Sequence, residues 1–195
     1  MAEHDIFASD RDAADVFSEL IRRWGEKAYN FAYRLSGNEH DARDLVQEAL
    51  VRAYEHRDRY DPTRPFDSWL NRILHNIYLD GVRRYSHGHT VSLDVEASFS
   101  ERAWSEILPG KDVDPTDAMV RRDDEAMIQR ALAELPIPFR TAVTLCDIEG
   151  VSYEDISRIM ACPIGTVRSR IHQGRSMMRK SFEAWSANKG GKSDA

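Results

Sequence analysis

The feature that most constrains this chain is where its apolar residues recur at steps of three and four, and where they stop. On both sides of a long acidic stretch, aliphatic and aromatic residues fall at helical spacing. From about Ala13 to Ser36 the series is Phe17, Leu20, Ile21, Trp24, Ala28, Phe31 and Leu35, and Gly37 supplies a left-handed stop. Asn38 can cap a second helix from Asp41 to about His56, whose apolar stripe is Ala42, Leu45, Val46, Ala49, Leu50 and Ala53. Its other face carries Asp41, Asp44, Gln47, Glu48 and Arg52. Pro62 and Pro65 then break the chain into a loop made basic by Arg57, Arg59 and Arg64. A third helix, about Asp67 to Tyr85, buries Leu70, Leu74 and Ile77 and aligns Trp69, Ile73, Asn76, Asp80 and Arg83 on a neighbouring stripe.

From Ser86 to about Pro115 the periodicity disappears, and between Asp94 and Asp117 seven acids face two bases. Such a stretch is too long for a connection inside one small domain, so it reads as an acidic, flexible linker over 86–117. Periodicity returns with Thr116 as a cap and Ile128, Ala131, Leu132 and Leu135 turned inward, ending at Pro136. Pro138 suits the start of the next helix, which carries Phe139, Ala142, Val143 and Cys146 on one face and stops at Gly150. Cys146 reads as core. Ser152 with Asp155 resembles a capping arrangement for a short helix to Met160, and ACPIG turns tightly into a longer helix from about Gly165 to Trp185. The expected fold is all-α: two small helical domains, 10–85 and 118–185, joined by the linker.

Composition narrows the function. With 195 residues, 27 Lys+Arg against 33 Asp+Glu and two cysteines, the chain can build cores without disulfides, and a reducing cytoplasm is its expected home. No signal-like leader and no apolar run of spanning length is present. No HExxH, phosphate loop or nucleophile elbow occurs, and the seven histidines are scattered, so neither an enzyme nor a metal site nor a bound cofactor is expected.

A short helix, a tight turn and a second helix form the helix-turn-helix pattern, whose second helix reads the major groove. Here Pro163 to Phe182 holds five bases and no acid in a chain of net charge -6. Val167 and Ile171 would face Ile156 and Ile159. That leaves Arg168, Ser169, His172 and Gln173 outward with donors suited to base edges; Thr166 is placed for phosphate, and Arg170 and Arg175 for backbone. The competing reading is an ordinary solvated basic face, with His172 a surface residue and Cys162 a turn filler.

The segment VSYEDISRIMACPIGTVRSRIHQGRSMMRKS resembles the promoter-reading C-terminal domain of bacterial sigma factors of the extracytoplasmic-function group. DARDLVQEALVRAYEHRDRYDPTRPFDSWLNRILHNIYLDGVRR is similar to the N-terminal conserved domain of the same family. The resemblance implies that Asp41, Asp44, Gln47 and Glu48 dock on the clamp helices of the largest subunit of core RNA polymerase. It implies that Arg57, Arg59, Arg64, Phe66, Trp69, Asn76 and Arg83 capture the single-stranded minus-ten promoter element, and that Thr166, Arg168, Ser169, Arg170, His172, Gln173 and Arg175 contact the duplex minus-thirty-five element. By the residues alone, Trp69 stands equally as core filler, and Asn76 equally as a cap or packing group. The linker would thread toward the polymerase active site, and an anti-sigma factor is the further partner the family implies. A two-domain regulator binding an operator without polymerase is the alternative, and it accounts for the basic helix but not for the N-terminal motifs.

Overall fold

The computed structural model describes the backbone of residues 10–86 and 115–190, with side chains described within 19–85 and 124–187. The chain divides into two units, residues 1–110 and 111–195. No strand occurs among the described residues.

The first unit is a three-helix bundle of α1 (Asp10–Ser36), α2 (Glu39–Glu55) and α3 (Phe66–Ser86), with one 3-10 turn at Arg57–Arg59. Gly37 takes φ 87°, the left-handed value that ends α1. Asn38 caps α2 by accepting from the Asp41 amide at 2.8 Å. The two helices can reverse within two residues because the stop and the cap are adjacent. The core is the expected stripe: Phe31, Leu35, Val46, Leu50, Leu70, Leu74 and Ile77 are almost wholly buried. Ala28, Ala32, Ala42, Ala49 and Ala53 are buried between them, and their small side chains let the helices close on one another.

Helix α3 starts in an aromatic knot. Tyr60, Phe66 and Trp69 meet with ring centroids 5.2 to 5.6 Å apart, and the Tyr60 hydroxyl donates to the Arg64 carbonyl at 2.7 Å. A loop with two prolines cannot order itself through a backbone ladder. Here it is pinned by ring packing, by the Tyr60 hydroxyl, and by Asp61, whose carboxylate accepts from the Thr63 amide and hydroxyl at 3.0 and 2.6 Å.

The second unit contains α4 (Pro115–Glu134), α5 (Ile137–Val143, continued by a π-turn at Thr144–Ile148), α6 (Tyr153–Ile159) and α7 (Ile164–Gly190). Helix α4 begins at Pro115, so Thr116 stands inside its first turn; a proline is tolerated there because its missing N–H has no helical acceptor. The expected linker lies outside the described residues from 87 to 114, while its last three residues are helical. Leu132, Leu135 and Val143 form a core with Ile128, Phe139, Met177 and Met178 packed on it. Arg140 donates to the Ala133 and Leu135 carbonyls at 2.9 and 3.1 Å, satisfying the exposed end of α4. Gly174 marks the closest approach of α7 to α5: a Cβ there would lie 2.5 Å from Val143 Cγ2 and 3.3 Å from the Phe139 carbonyl oxygen.

Cys146 is a correction. It is half-buried in the π-turn rather than core, with its Sγ 3.8 Å from Arg175 Nη2. Burial, then the neighbouring Asp147 carboxylate, pushes its thiol pKa up, away from a reactive thiolate.

Candidate nucleic-acid interface

In the second unit the helix-turn-helix is built by a cap, a turn and an apolar seam. Ser152 accepts from the Asp155 amide at 3.1 Å and donates to the Asp155 carboxylate at 2.7 Å, which fixes the start of α6. At the other end the chain turns through Ala161, whose φ of 48° is left-handed. The Cys162 amide donates to the Ser157 carbonyl at 3.1 Å, and Ser157 Oγ donates back to the Cys162 carbonyl at 2.6 Å. This double strap sets where α7 starts. Ile156, Ile159, Val167 and Ile171 are all buried, as the spacing requires.

With those four inward, Arg168, Ser169, His172 and Gln173 are exposed along one side of α7, and Thr166 and Arg170 are half-exposed. Gln173 Nε2 donates to Ser169 Oγ at 3.3 Å. Arg170 folds back over the turn and places Nη1 3.4 Å from Cys162 Sγ. Arg175, expected on the DNA backbone, is exposed, and its Nε and Nη2 donate to the Asp147 carboxylate at 2.9 and 2.5 Å. This bidentate pair ties α7 to the π-turn across 28 residues. It holds the Asp147 carboxyl below its usual range and the Arg175 guanidinium above its own, mainly through the hydrogen bonds.

In the first unit the expected strand-binding residues fall into two groups. Arg59 and Arg64 are exposed on the loop, Arg64 with Asp61 at 3.3 Å, and Arg57 lies 4.6 Å over the Tyr54 ring and donates to its carbonyl at 3.1 Å. Asn76 and Arg83 are exposed on α3, with Arg83 3.4 Å from Asp80. Trp69 is half-buried, with its ring against Tyr60 and Phe66 in the aromatic knot. Phe66, expected on the same surface, is 5% exposed, with its ring packed against Tyr60 and Trp69.

On α2, Asp41 and Asp44 are exposed while Gln47 and Glu48 are half-buried. Asp44 takes His40 Nδ1 at 3.1 Å, and Glu48 accepts from Arg52. The His40–Asp44 pair is exposed and contributes little to stability, whereas the Arg52–Glu48 pair is partly buried. Among the described residues no cluster of His, Cys, Asp and Glu is placed to hold a metal ion, and no helix is long and apolar enough to cross a membrane.

Two features escaped the sequence pattern. Tyr60 sits in a loop with no period to betray its burial. Asp147 lies 28 residues before Arg175 with α6 between them, and only the folded π-turn brings them together.

The first unit is thus a helical bundle with an acid-faced helix, and the second holds a helix-turn-helix with a basic exposed face. Residues 20–87 match the Sigma-70 region 2 family and residues 125–178 match Sigma-70, region 4. The chain is 35% identical to the ECF RNA polymerase sigma factor SigW of Bacillus subtilis, over 85% of this chain and 88% of that protein. It is 41% identical to the ECF RNA polymerase sigma factor SigE of Mycolicibacterium smegmatis, over 87% of this chain and 63% of that protein's length. In fold it is similar to the sigma factor RpoE crystallised with the anti-sigma factor NepR from Bartonella quintana, with a TM-score of 0.63, 24% identity, and coverage of 86% of this chain and 96% of that one. It also resembles CnrH in complex with the cytosolic domain of CnrY, with a TM-score of 0.62, 23% identity and coverage of 88% and 90%. The chain belongs to the extracytoplasmic-function sigma factors of RNA polymerase.

Proposed function

We propose that this chain is an alternative sigma factor that binds core RNA polymerase, directs it to a set of promoters and assists strand opening, acting in the cytoplasm without covalent chemistry of its own. The observation that carries the reading is the pairing, in one chain, of region 2 and region 4 matches, the latter with an exposed basic reading face over a buried apolar seam. The exposed Arg168, Ser169, His172 and Gln173 read base edges of the minus-thirty-five element. Thr166 and Arg170 hold phosphates beside them. Arg175 acts through Asp147, fixing the angle at which α7 meets the groove.

Arg57, Arg59 and Arg64, with the half-buried Trp69 and the exposed Asn76 and Arg83, form the surface that captures the opened minus-ten strand. Stacking on one aromatic is worth about 1–3 kcal/mol per base, comparable to the few kcal/mol that unstacking a base costs. The surface therefore holds an opened strand without forcing a closed duplex apart by itself. Asp41, Asp44, Gln47 and Glu48 present an acidic face to a basic helix of core polymerase. An anti-sigma factor that covers these faces would be the second protein partner, in keeping with the complexes of the two structural relatives.

With a net charge of -6 and one small basic face, the free chain gains little from counterion release and binds DNA weakly until polymerase positions it. The test is promoter binding with and without core polymerase at physiological salt. Sequence-specific binding only in its presence supports the reading. Tight operator binding by the chain alone overturns it in favour of a conventional regulator.

A further inference from the structure

Helix α1 carries a stripe that none of the surfaces described above uses. Arg23, Lys27, Asn30 and Arg34 follow at steps of four, three and four, so they share one side of the helix over about 16 Å. Arg23, Lys27 and Asn30 are exposed and Arg34 is half-exposed. The two acids nearest to this side do not neutralise it. Glu19 is paired with Arg22 at 2.6 Å, and the half-buried Glu26 pairs with neither Arg23 nor Lys27. Three cations in line therefore invert, locally, the sign of a chain whose net charge is -6.

These cations are also held in place. Arg23 lies 5.4 Å and Lys27 4.9 Å from the centroid of the Trp24 ring. One half-buried indole thus draws to a single spot two like charges that Coulomb repulsion alone would spread apart. Arg34 is stationed in the same manner, 5.9 Å over the Tyr33 ring. A cation steadied by a ring face keeps its charge uncompensated, which suits it to an incoming anion.

The form of the stripe selects the anion. With Trp24 half-buried and in contact with two cations, this side of α1 offers charge rather than a platform on which a base could stack, and single-stranded nucleic acid is held by the two together. A straight row of cations matches a row of phosphates instead. About 16 Å is the axial run of about five phosphates along one strand of a duplex.

We propose that the α1 stripe holds the phosphate backbone of duplex promoter DNA beside the minus-ten element, with Arg23 and Lys27 as phosphate contacts and Trp24 as the post that sets them. The proposal rests on the reading of the chain as a sigma factor and adds a third DNA contact to the two already described. Phosphate contacts carry no sequence information, so the stripe contributes affinity and register rather than promoter choice. Two or three cations bind a duplex weakly by themselves, so the stripe acts once polymerase and the other two surfaces have brought the promoter in.

The test measures binding of the full chain with core polymerase to a fluorescent promoter duplex as salt rises from about 50 to about 200 mM, comparing wild type, the double variant Arg23→Gln/Lys27→Gln, and Arg22→Gln. The double variant is expected to lower the slope of log affinity against log salt by about two, so that the wild-type advantage shrinks about tenfold over that range, equally on promoters of different sequence. Arg22→Gln removes a charge that Glu19 already pairs and is expected to keep the wild-type slope. Binding of the same complexes to a single-stranded minus-ten oligonucleotide, and the affinity of each chain for core polymerase, should be unchanged. A wild-type slope in the double variant overturns the proposal. So does a loss that appears equally on the single strand, which would make the stripe part of the strand-capturing surface, or a loss of affinity for core polymerase, which would make it a docking face. If wild type with core polymerase shows no promoter-specific binding, the sigma reading falls and the proposal with it.

Discussion

Gly174→Ala probes how the reading helix is seated. A Cβ at this position lies 2.5 Å from Val143 Cγ2, 3.3 Å from the Phe139 carbonyl oxygen and 3.4 Å from Leu135 Cδ2. Normal contact between carbons is about 3.5–4.0 Å, so α7 must retreat from α5 by about 1 Å. Val143 cannot swing aside cheaply, since a β-branched side chain in a helix has essentially one rotamer, and it is 2% exposed in a packed core. Overpacking costs about 1–3 kcal/mol, and exchanging glycine for alanine in a helix returns up to about 1 kcal/mol. The expected net destabilisation of the second unit is about 1–2 kcal/mol. Hydrogen exchange read by mass spectrometry on the full chain separates the units: peptides from 137–185 should lose protection by about five- to thirtyfold, while peptides from 20–85 serve as an unchanged control. Protection equal to or greater than wild type in 137–185 would refute the close-approach argument.

Three further outcomes follow from single contacts. Ala161→Gly, relieving a left-handed φ of 48°, should stabilise the second unit by about 0.5–1 kcal/mol in urea unfolding, and no gain would mean that the turn carries no strain. Asp147→Asn should cost no more than about 1 kcal/mol because the pair is partly exposed, and should lower specific minus-thirty-five binding; an increase in affinity would mean that Arg175, once freed, serves DNA directly. Because the Asp147 pKa is lowered on folding, its contribution is full above about pH 4 and fades as pH falls through the folded value, so wild type and Asp147→Asn should converge in stability in acid. Arg168→Ala should cost about 1–3 kcal/mol of discrimination at one minus-thirty-five base pair, and a uniform loss across sequences would reassign Arg168 to phosphate.

What the sequence disclosed tracks how local each determinant is. The stripes through Phe31, Val46 and Leu74 were legible because helix burial repeats at steps of three and four, and the caps at Asn38 and Ser152 because their partners lie three residues on. The inward pair Val167 and Ile171 was legible for the same reason. The fate of Phe66 was not legible: an aromatic beside a proline loop can face a base or a neighbouring ring, and Tyr60 decides between them. Arg175 looked like one more base on a basic helix until the π-turn brought Asp147 to it.

The central claim is that these two units together confer promoter choice on polymerase, and run-off transcription tests it most directly. Purified core polymerase, with and without this chain, is presented with a pool of genomic promoter fragments and the transcript starts are mapped. The account predicts new starts that share minus-thirty-five and minus-ten elements, lost with Arg168→Ala at the first and Asn76→Ala at the second. Folded protein that binds core polymerase yet produces no new start would contradict it.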